Sequence, residues 1–558
     1  MKRDLKKLSE TEYDVVIVGA GINGACAAWD ATLRGLKVAL IDKADFGNAT
    51  SSNSLKIIHG GLRYLQNLDL KRMRESINER KILMKNAPHL IHPLPVIMPT
   101  YGSSFKSKPA MFAALLANDL ISLDRNSLED PQKYLPNGKV ISNQQVEEYV
   151  PGFDGEKFTG GALWYDCVCS NTERLVLSYV LSAAEKGADA ANYVECIGFL
   201  GDERKITGIK VKEHFTKDVF DIRAKVVVNS SGPWVDDILS GLNGNAIKKK
   251  FRHSLGINIV VNRKILDNHA LAIPGPVQNR LADGTIFNGK QILFFVPWKD
   301  YTMIGTSHLP YDRDPYDLEI GENEVENFLN SINKAFPAAN VKKEEISLVH
   351  RGLLPMKNLK PSTGEVLLER HYKIYDHFIE DRIEGIVSII GVKYTTHRDV
   401  ASKIINTVVG KLNKKSVNSI TADIPVYGGE IEKFDDYLSE ASRISGFDDH
   451  LTDRLVYNYG SKYQEILKLM DNGKADKKTS NNLNRLLRAE ILNSVRNEMA
   501  LKLSDVIFRR TDLGSAQNPG PSTLETVAKV LAEEFQWNDK RIREEVKETL
   551  SFYPVSNN

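Results

Sequence analysis

Residues 13–43 constrain the fold more tightly than any other stretch of the chain. The apolar run Val15–Val18 ends at a glycine triplet spaced Gly19-x-Gly21-x-x-Gly24. Small residues follow (Ala25, Ala27, Ala28, Ala31), and a second apolar run, Val38–Ile41, closes on Asp42. The pattern predicts a strand, a tight turn, a helix and a second strand. Gly19 permits the turn, Gly21 lets a pyrophosphate approach the backbone, and Gly24 lets helix and strand pack closely. The helix N-terminus then offers unpaired N–H groups and partial positive charge to phosphates. Asp42, eighteen residues after Gly24, is placed to hydrogen-bond a ribose hydroxyl. Asn23 in the turn and Lys43 beside the acid join the candidate dinucleotide-binding residues.

A chain of 558 residues accommodates about three or four domain-sized units. Its net charge of +2 gives no bulk electrostatic argument for nucleic acid. Four cysteines (Cys26, Cys167, Cys169, Cys196) point to a reducing compartment without a disulfide framework. Cys167-x-Cys169 lacks a second pair at metal-ligand spacing, so no metal site is expected. The segment Met1–Glu12 is charged and has no apolar core, which argues against a secretory leader. No apolar run approaches the roughly 18–20 residues that span a bilayer. The expected location is the cytoplasm or its membrane face.

Along the chain, residues 46–54 read as a polar loop, and Leu55–Leu65 lead through Gly60-Gly61 into a charged helix from about Asp69 to Lys85. Residues 105–123 predict a mostly apolar helix with Pro109 in its first turn. Lys106 and Lys108 before an apolar face fit an interfacial helix on anionic lipid, and a buried core helix fits equally. Thr172–Lys186 reads as an amphipathic helix, Asp189–Cys196 as a strand, and Ile206–Lys212 with Val219–Arg223 as a meander. Val226–Val228 is a buried strand entering Asn229-Ser230-Ser231-Gly232-Pro233-Trp234. Strands at 257–262, 291–297 and 302–306 predict a separate antiparallel sheet. Ile383–Ile390 is a further apolar strand ending in Gly391-Val392-Lys393-Tyr394-Thr395-Thr396-His397-Arg398. A Lys/Asn-rich link at 412–419 precedes an almost wholly helical region, 430–555, whose connecting turns include Arg509–Gly514. The expected class is therefore α/β. Segments 1–100, 150–244 and 350–412 form a discontinuous Rossmann-type domain. A helical insert occupies 101–149, a β-rich substrate domain 245–349 and an all-helical domain 420–558.

These motifs together resemble the FAD-dependent glycerol-3-phosphate dehydrogenases of the glycine and D-amino-acid oxidase superfamily. The resemblance spans nearly the whole chain, and His59-Gly60-Gly61-Leu62-Arg63-Tyr64 is its most specific part. It implies FAD, with pyrophosphate on Gly19–Gly24 and the adenosine ribose on Asp42. It implies flavin contacts from Ser51, Ser52, His59 and Gly60 and from the Val392–Thr395 backbone, including Tyr394. Gly61 and Gly232 belong to the same motifs, and Val194 would lie near the adenine. The implied chemistry is removal of hydride from a secondary carbinol to flavin, with a base taking the hydroxyl proton. Lys393 would stabilise the reduced flavin, and Arg63 and Tyr64 lie on the substrate side. Family dehydrogenases pass electrons to membrane quinone. A soluble oxidase, the same chemistry on another polyol or sugar derivative, and a non-catalytic flavin protein are the alternatives. A homodimer is compatible with the resemblance. The interleaved charges of the C-terminal helices read as a solvated surface rather than a nucleic-acid face.

Departures concentrate on the substrate side. Leu354 stands where the family carries an arginine that helps hold phosphate, and Arg351, three residues earlier, changes face along a strand. Asn258 replaces a histidine expected beside the substrate hydroxyl and cannot serve as a base near neutral pH. Gly305-Thr306-Ser307-His308 replaces Gly-Thr-Thr-Asp, which makes His308 a candidate base or a simple loop histidine. Val392 replaces a glycine. The cofactor side is intact while the substrate side differs, so flavin chemistry is expected, on glycerol 3-phosphate or, as the coordinated changes in the pocket suggest, on a related polyol or sugar derivative.

Overall fold

The computed structural model describes residues 1–102, 106–153, 158–242, 251–280, 286–360, 364–415, 417–470 and 481–553. Phe105 of the expected insert helix, residues 245–250 of the expected β-rich segment and Ser416 of the link lie outside the described residues.

Two sheets and a helical block make up the architecture. The first sheet runs in the order Lys373–Asp376, Ile386–Ile390, Val219–Asn229, Glu12–Val18, Val38–Ile41, Asp189–Ala191. Its central pairings are parallel. Residues 15–18 and 38–41 are all buried, which is why they read as unbroken apolar runs rather than alternating ones. Helix Ile22–Leu33 covers this sheet and packs against helices Thr172–Glu185 and His397–Lys411 in one apolar core. A Cβ on Gly24 would lie 1.9 Å from the Gly19 carbonyl oxygen, so helix and turn close only with glycine there.

Val219–Asn229 is one continuous strand, where the sequence suggests two. Its first half pairs antiparallel with Ile206–Glu213 and its second half parallel with Glu12–Val18. The meander and the return strand of the nucleotide-binding unit are thus the same element.

The second sheet is ten-stranded and mostly antiparallel. It contains Arg252–Val261, Ala270–Arg280, Ile286–Trp298, Tyr301–Tyr311 and Ile346–Leu359. It also recruits Ile57–Ile58, Ile91–Tyr101 and Phe158–Cys169, drawn from segments that the sequence assigns to the nucleotide-binding unit. Pro93, Pro95 and Pro99 obscure the second of these. They share one parity, so the N–H groups they lack all belong to one edge of the strand.

Helix Lys108–Ile121 carries Pro109 in its first turn. Only Leu115 is buried, while Phe112, Leu116, Leu120 and Leu123 are exposed, so this is not a core helix. Among the described residues no helix is long and apolar enough to cross a membrane. Helices from Phe434 to Leu550 form the C-terminal domain around two apolar clusters. That domain is bolted to the first sheet by a buried ion network. Asp45 accepts from Arg509 Nε (2.6 Å), from Arg510 Nη1 (2.7 Å) and Nη2 (2.8 Å), and from Asn192 Nδ2 (2.8 Å).

Candidate functional site

The Gly19–Gly24 turn, the Asp42–Ala44 strand end, the loop after Gly47, the Ser230–Trp234 turn and Gly391–Thr395 enclose one cavity of about 520 Å³. Several of these lie at the C-terminal ends of parallel strands, where open α/β sheets bind ligands. Gly19 has φ +99°, and a Cβ there would lie 2.6 Å from the Ser230 carbonyl oxygen. The helix starting at Ile22 has no side-chain cap. Ser51 Oγ accepts the Ile22 N–H at 3.0 Å and holds the polar loop against the turn.

Asp42 accepts from the backbone N–H groups of Ala20 (2.7 Å) and Ala44 (2.9 Å). Burial pushes its carboxyl up to about 6, although both bonds oppose this. Lys43 Nζ lies 3.5 Å from the centre of the Trp234 ring and 3.8 Å from that of Tyr316. Burial lowers this ammonium to about 8. Among the described residues, Asn23 Oδ1, Lys43 Nζ, Trp234 Nε1 and His308 Nδ1 are buried on these walls without a hydrogen-bond partner. Orphaned polar atoms around one cavity fit a bound polar ligand. The glycine cradle beside them fits a pyrophosphate.

Arg63, Tyr64, Asn258, Thr306, His308, Leu354 and Lys393 also line the cavity. Lys393 Nζ lies 4.1 Å from the Tyr64 ring centre, and Arg72 approaches the same ring at 4.4 Å. Burial, then the Arg72 charge, lowers Lys393 to about 8. His308 is pushed down to about 4 by burial and by Arg63. The Asn258 amide is committed on both sides: Nδ2 donates to the Asn53 carbonyl (3.2 Å), and Oδ1 accepts from Thr306 Oγ1 (2.7 Å). Strand pairing sets Leu354 opposite Ser254, and a Cβ on Gly256 would lie 2.7 Å from Leu354 Cδ1, so the leucine packs over that glycine. Arg351 is not among the lining residues.

Gly21, His59, Val194, Gly232, Val392, Tyr394 and Thr395 line the cavity as well. The Tyr394 hydroxyl turns away and donates to the Thr172 carbonyl (3.0 Å). Thr395 Oγ1 accepts the His59 N–H (3.1 Å). Gly24, Ser52, Gly60 and Gly61 stand outside the lining. Ser52 donates to the Gly47 carbonyl, Gly60 N–H donates to Asp166 (2.6 Å), and Gly61 makes a turn at φ +88°. Trp234 lies in a motif the sequence displays. Tyr316 and Asp166 carry no local signal, and only the packing of the second sheet brings them here.

The FAD dependent oxidoreductase family model matches residues 14–381, and that of the C-terminal domain of alpha-glycerophosphate oxidase matches residues 419–542. A glycerol-3-phosphate dehydrogenase of Synechocystis sp. is 29% identical, over 98% of this chain and 97% of its own. An aerobic glycerol-3-phosphate dehydrogenase of Staphylococcus epidermidis is 28% identical, over 92% of this chain and 89% of its own. The crystal structure of a glycerol-3-phosphate dehydrogenase from Bacillus halodurans complexed with FAD superposes with a TM-score of 0.75 at 26% identity. That alignment covers 98% of this chain and 95% of the other. Fold and cavity define a flavin-dependent oxidoreductase, and FAD is its cofactor. The chain belongs to the FAD-dependent oxidoreductase family and, within it, to the glycerol-3-phosphate-dehydrogenase-like enzymes.

Proposed function

We propose that the protein oxidises the secondary alcohol of an anionic polyol to a ketone, with glycerol 3-phosphate as the foremost substrate and quinone at a membrane surface as electron acceptor. The observation that carries this reading is the convergence of Arg63 and Lys393 on the cavity that holds the dinucleotide turn. Neither makes an ion pair among the described residues. FAD, when bound, accepts the hydride of the carbinol carbon. The planar fork of Arg63 suits a phosphate or carboxylate, which it can grip through two N–H groups. Lys393, mostly protonated at neutral pH, adds a second positive charge against Tyr64.

Membrane docking is supported by the helix Lys108–Ile121. Its Phe112, Leu116 and Leu120 recur every four residues, and they are 58%, 51% and 60% exposed. Leu123 and Leu68 extend the exposed apolar surface. Such a face with lysines at its start suits the acyl–headgroup boundary.

A second reading, the same oxidation on a different alcohol, is favoured by Leu354 and Asn258, which supply neither a cation nor a base. Anaerobic bleaching of the flavin absorbance, with glycerol 3-phosphate against polyols, sugar phosphates and hydroxy acids, separates the two. Rapid bleaching by glycerol 3-phosphate supports the first reading. Bleaching only by another alcohol supports the second, and bleaching by none refutes both.

A further inference from the structure

Arg63 and Lys393 stand on the half of the cavity proposed to take substrate, and Leu354 adds no charge to them. A further cation lies just behind. Arg72 does not line the cavity, yet its guanidinium carbon lies 4.4 Å from the Tyr64 ring centre. Lys393 Nζ lies 4.1 Å from that same centre. We propose that Arg72 is a positioning residue for an anionic substrate, setting through Tyr64 and Lys393 how strongly the site holds negative charge. This rests on the reading above that the site takes an anionic alcohol.

The first turn of helix Leu70–Asn86 builds the arrangement. Asp69 caps that helix, accepting the Arg72 N–H (3.2 Å) and Arg72 Nη1 (3.3 Å). The Asp69 N–H donates in turn to the Tyr64 carbonyl at 3.1 Å. Gly61, at φ +88°, lets the Tyr64 ring lie against the helix. A Cβ there would stand 2.9 Å from Tyr64 Cδ2 and 3.2 Å from Met73 Cα. Arg63 and Tyr64 belong to one short turn, Leu62–Asn67, so what fixes the Tyr64 ring also fixes the Arg63 backbone. The Arg72 side chain is only 11% exposed, so salt screens its charge weakly. An aromatic face attracts cations, and one ring shared by two of them keeps them near each other despite their repulsion.

Lys393 feels that repulsion. Burial lowers its ammonium and Arg72 lowers it further, to about 8, while Glu75 and Asp69 act the other way. The turn adds Arg63 and Tyr64, and burial raises the Tyr64 phenol although the Arg72 charge opposes it. Lys403 pairs with Glu75 at 3.7 Å, His371 acts on Asp69, and His308 beside Arg63 is held neutral by burial. An anion binds best while Lys393 is charged, so its affinity falls as pH rises through about 8. Removing the Arg72 charge weakens the pull on an anion at neutral pH but moves that fall to higher pH. Removing the Asp69 charge moves it to lower pH.

The test titrates sulfate, a dianion throughout, into the FAD-loaded enzyme from neutral to alkaline pH and follows the flavin absorbance. Lys393→Met should abolish the alkaline fall, which assigns it. Arg72→Leu should weaken binding at neutral pH by about 10-fold, the order expected of one charge acting across a tyrosine ring in a partly buried site. It should also move the fall upward, whereas Arg72→Lys should keep most of the affinity. Asp69→Asn, which keeps a good helix cap, should move the fall downward. Opposite shifts from two neighbouring residues separate a charge effect from damage to the fold. Flavin content per protein should match the wild type in each variant. With glycerol 3-phosphate as substrate, Arg72→Leu should raise KM by the same factor and leave kcat unchanged. An unmoved fall in Arg72→Leu, shifts of one sign in both variants, or an alkaline fall that survives Lys393→Met overturns the proposal. So does a wild type that binds no sulfate, or a loss of kcat at unchanged KM. Where Arg72→Leu sheds FAD, Asp69→Asn decides, and the absence of a downward shift there overturns the proposal. Where no alcohol reduces the wild-type flavin, the functional reading fails, and the sulfate titrations alone then decide the role of Arg72.

Discussion

Replacing Asp45 by asparagine should loosen the C-terminal helical domain from the nucleotide-binding sheet without touching the cavity. Asp45 is fully buried and takes three hydrogen bonds from Arg509 and Arg510, which are themselves buried. The two arginine charges hold its carboxyl far below the usual range despite burial. Asp505 gives Arg509 a second partner at 2.8 Å, but Arg510 keeps only the Glu498 carbonyl at 3.0 Å once the Asp45 charge is gone. Asparagine preserves the shape and removes the charge, so the buried Arg510 guanidinium loses its directly bonded carboxylate and keeps only the Coulombic attraction of Asp505 and Glu498. Breaking such a pair from one side costs about 3–5 kcal/mol, or about 10²–10⁴-fold in a local opening equilibrium. Hydrogen–deuterium exchange across 503–511 reads that opening directly. Arg488→Ala is the control, because its pair with Glu533 is solvent-exposed (48% and 58%) and such pairs contribute less than about 1 kcal/mol. Exchange across 503–511 that is no faster in Asp45→Asn than in Arg488→Ala would refute the reasoning.

Four further outcomes are expected. Asp42 titrates near 6, and its ionised form is the better acceptor for a ribose hydroxyl, so FAD retention should weaken as pH falls through about 6; equilibrium dialysis measures it. The apo-protein should respond oppositely through this group, since a carboxyl raised by folding stabilises the fold at low pH and loses that contribution as pH rises through about 6. The triple change Phe112→Ser, Leu116→Ser, Leu120→Ser should abolish co-sedimentation with anionic vesicles while flavin content stays constant, because these side chains contribute nothing to the core. Leu354→Arg should lower KM for glycerol 3-phosphate by about 10–100-fold, the equivalent of one charge-assisted hydrogen bond; steady-state kinetics would refute this by showing no change.

What the sequence displays well is what local backbone geometry dictates. Gly19-x-Gly21-x-x-Gly24 marks its turn because a Cβ at the first or third glycine would collide with backbone. The strands around it show as apolar runs because both faces are covered. Reading fails where the chain obeys distant partners. Ile91–Tyr101 holds three prolines and reads as no strand, yet its partner Phe158–Cys169 pairs with it along nearly its whole length. Arg509 and Arg510 read as part of a connecting turn. They are instead the end of a π-helical turn, buried against an aspartate 464 and 465 positions away. The apolar helix at Lys108–Ile121 is ambiguous in sequence because burial and lipid contact select the same residues, and only its exposed face distinguishes them.

The same division explains the uneven legibility of the site. The cofactor half is built from backbone turns, each encoded by a handful of adjacent residues. The half proposed to take substrate draws on Arg63, Asn258, His308, Leu354 and Lys393, five positions on separate segments that line one cavity only in the folded chain. A leucine at one of them is accommodated within the fold, since Leu354 packs over Gly256. Specificity on such a scaffold can change without disturbing cofactor binding. His59, by contrast, belongs to both halves: its backbone is fixed by the Thr395 turn and its ring by Asp166 of the second sheet.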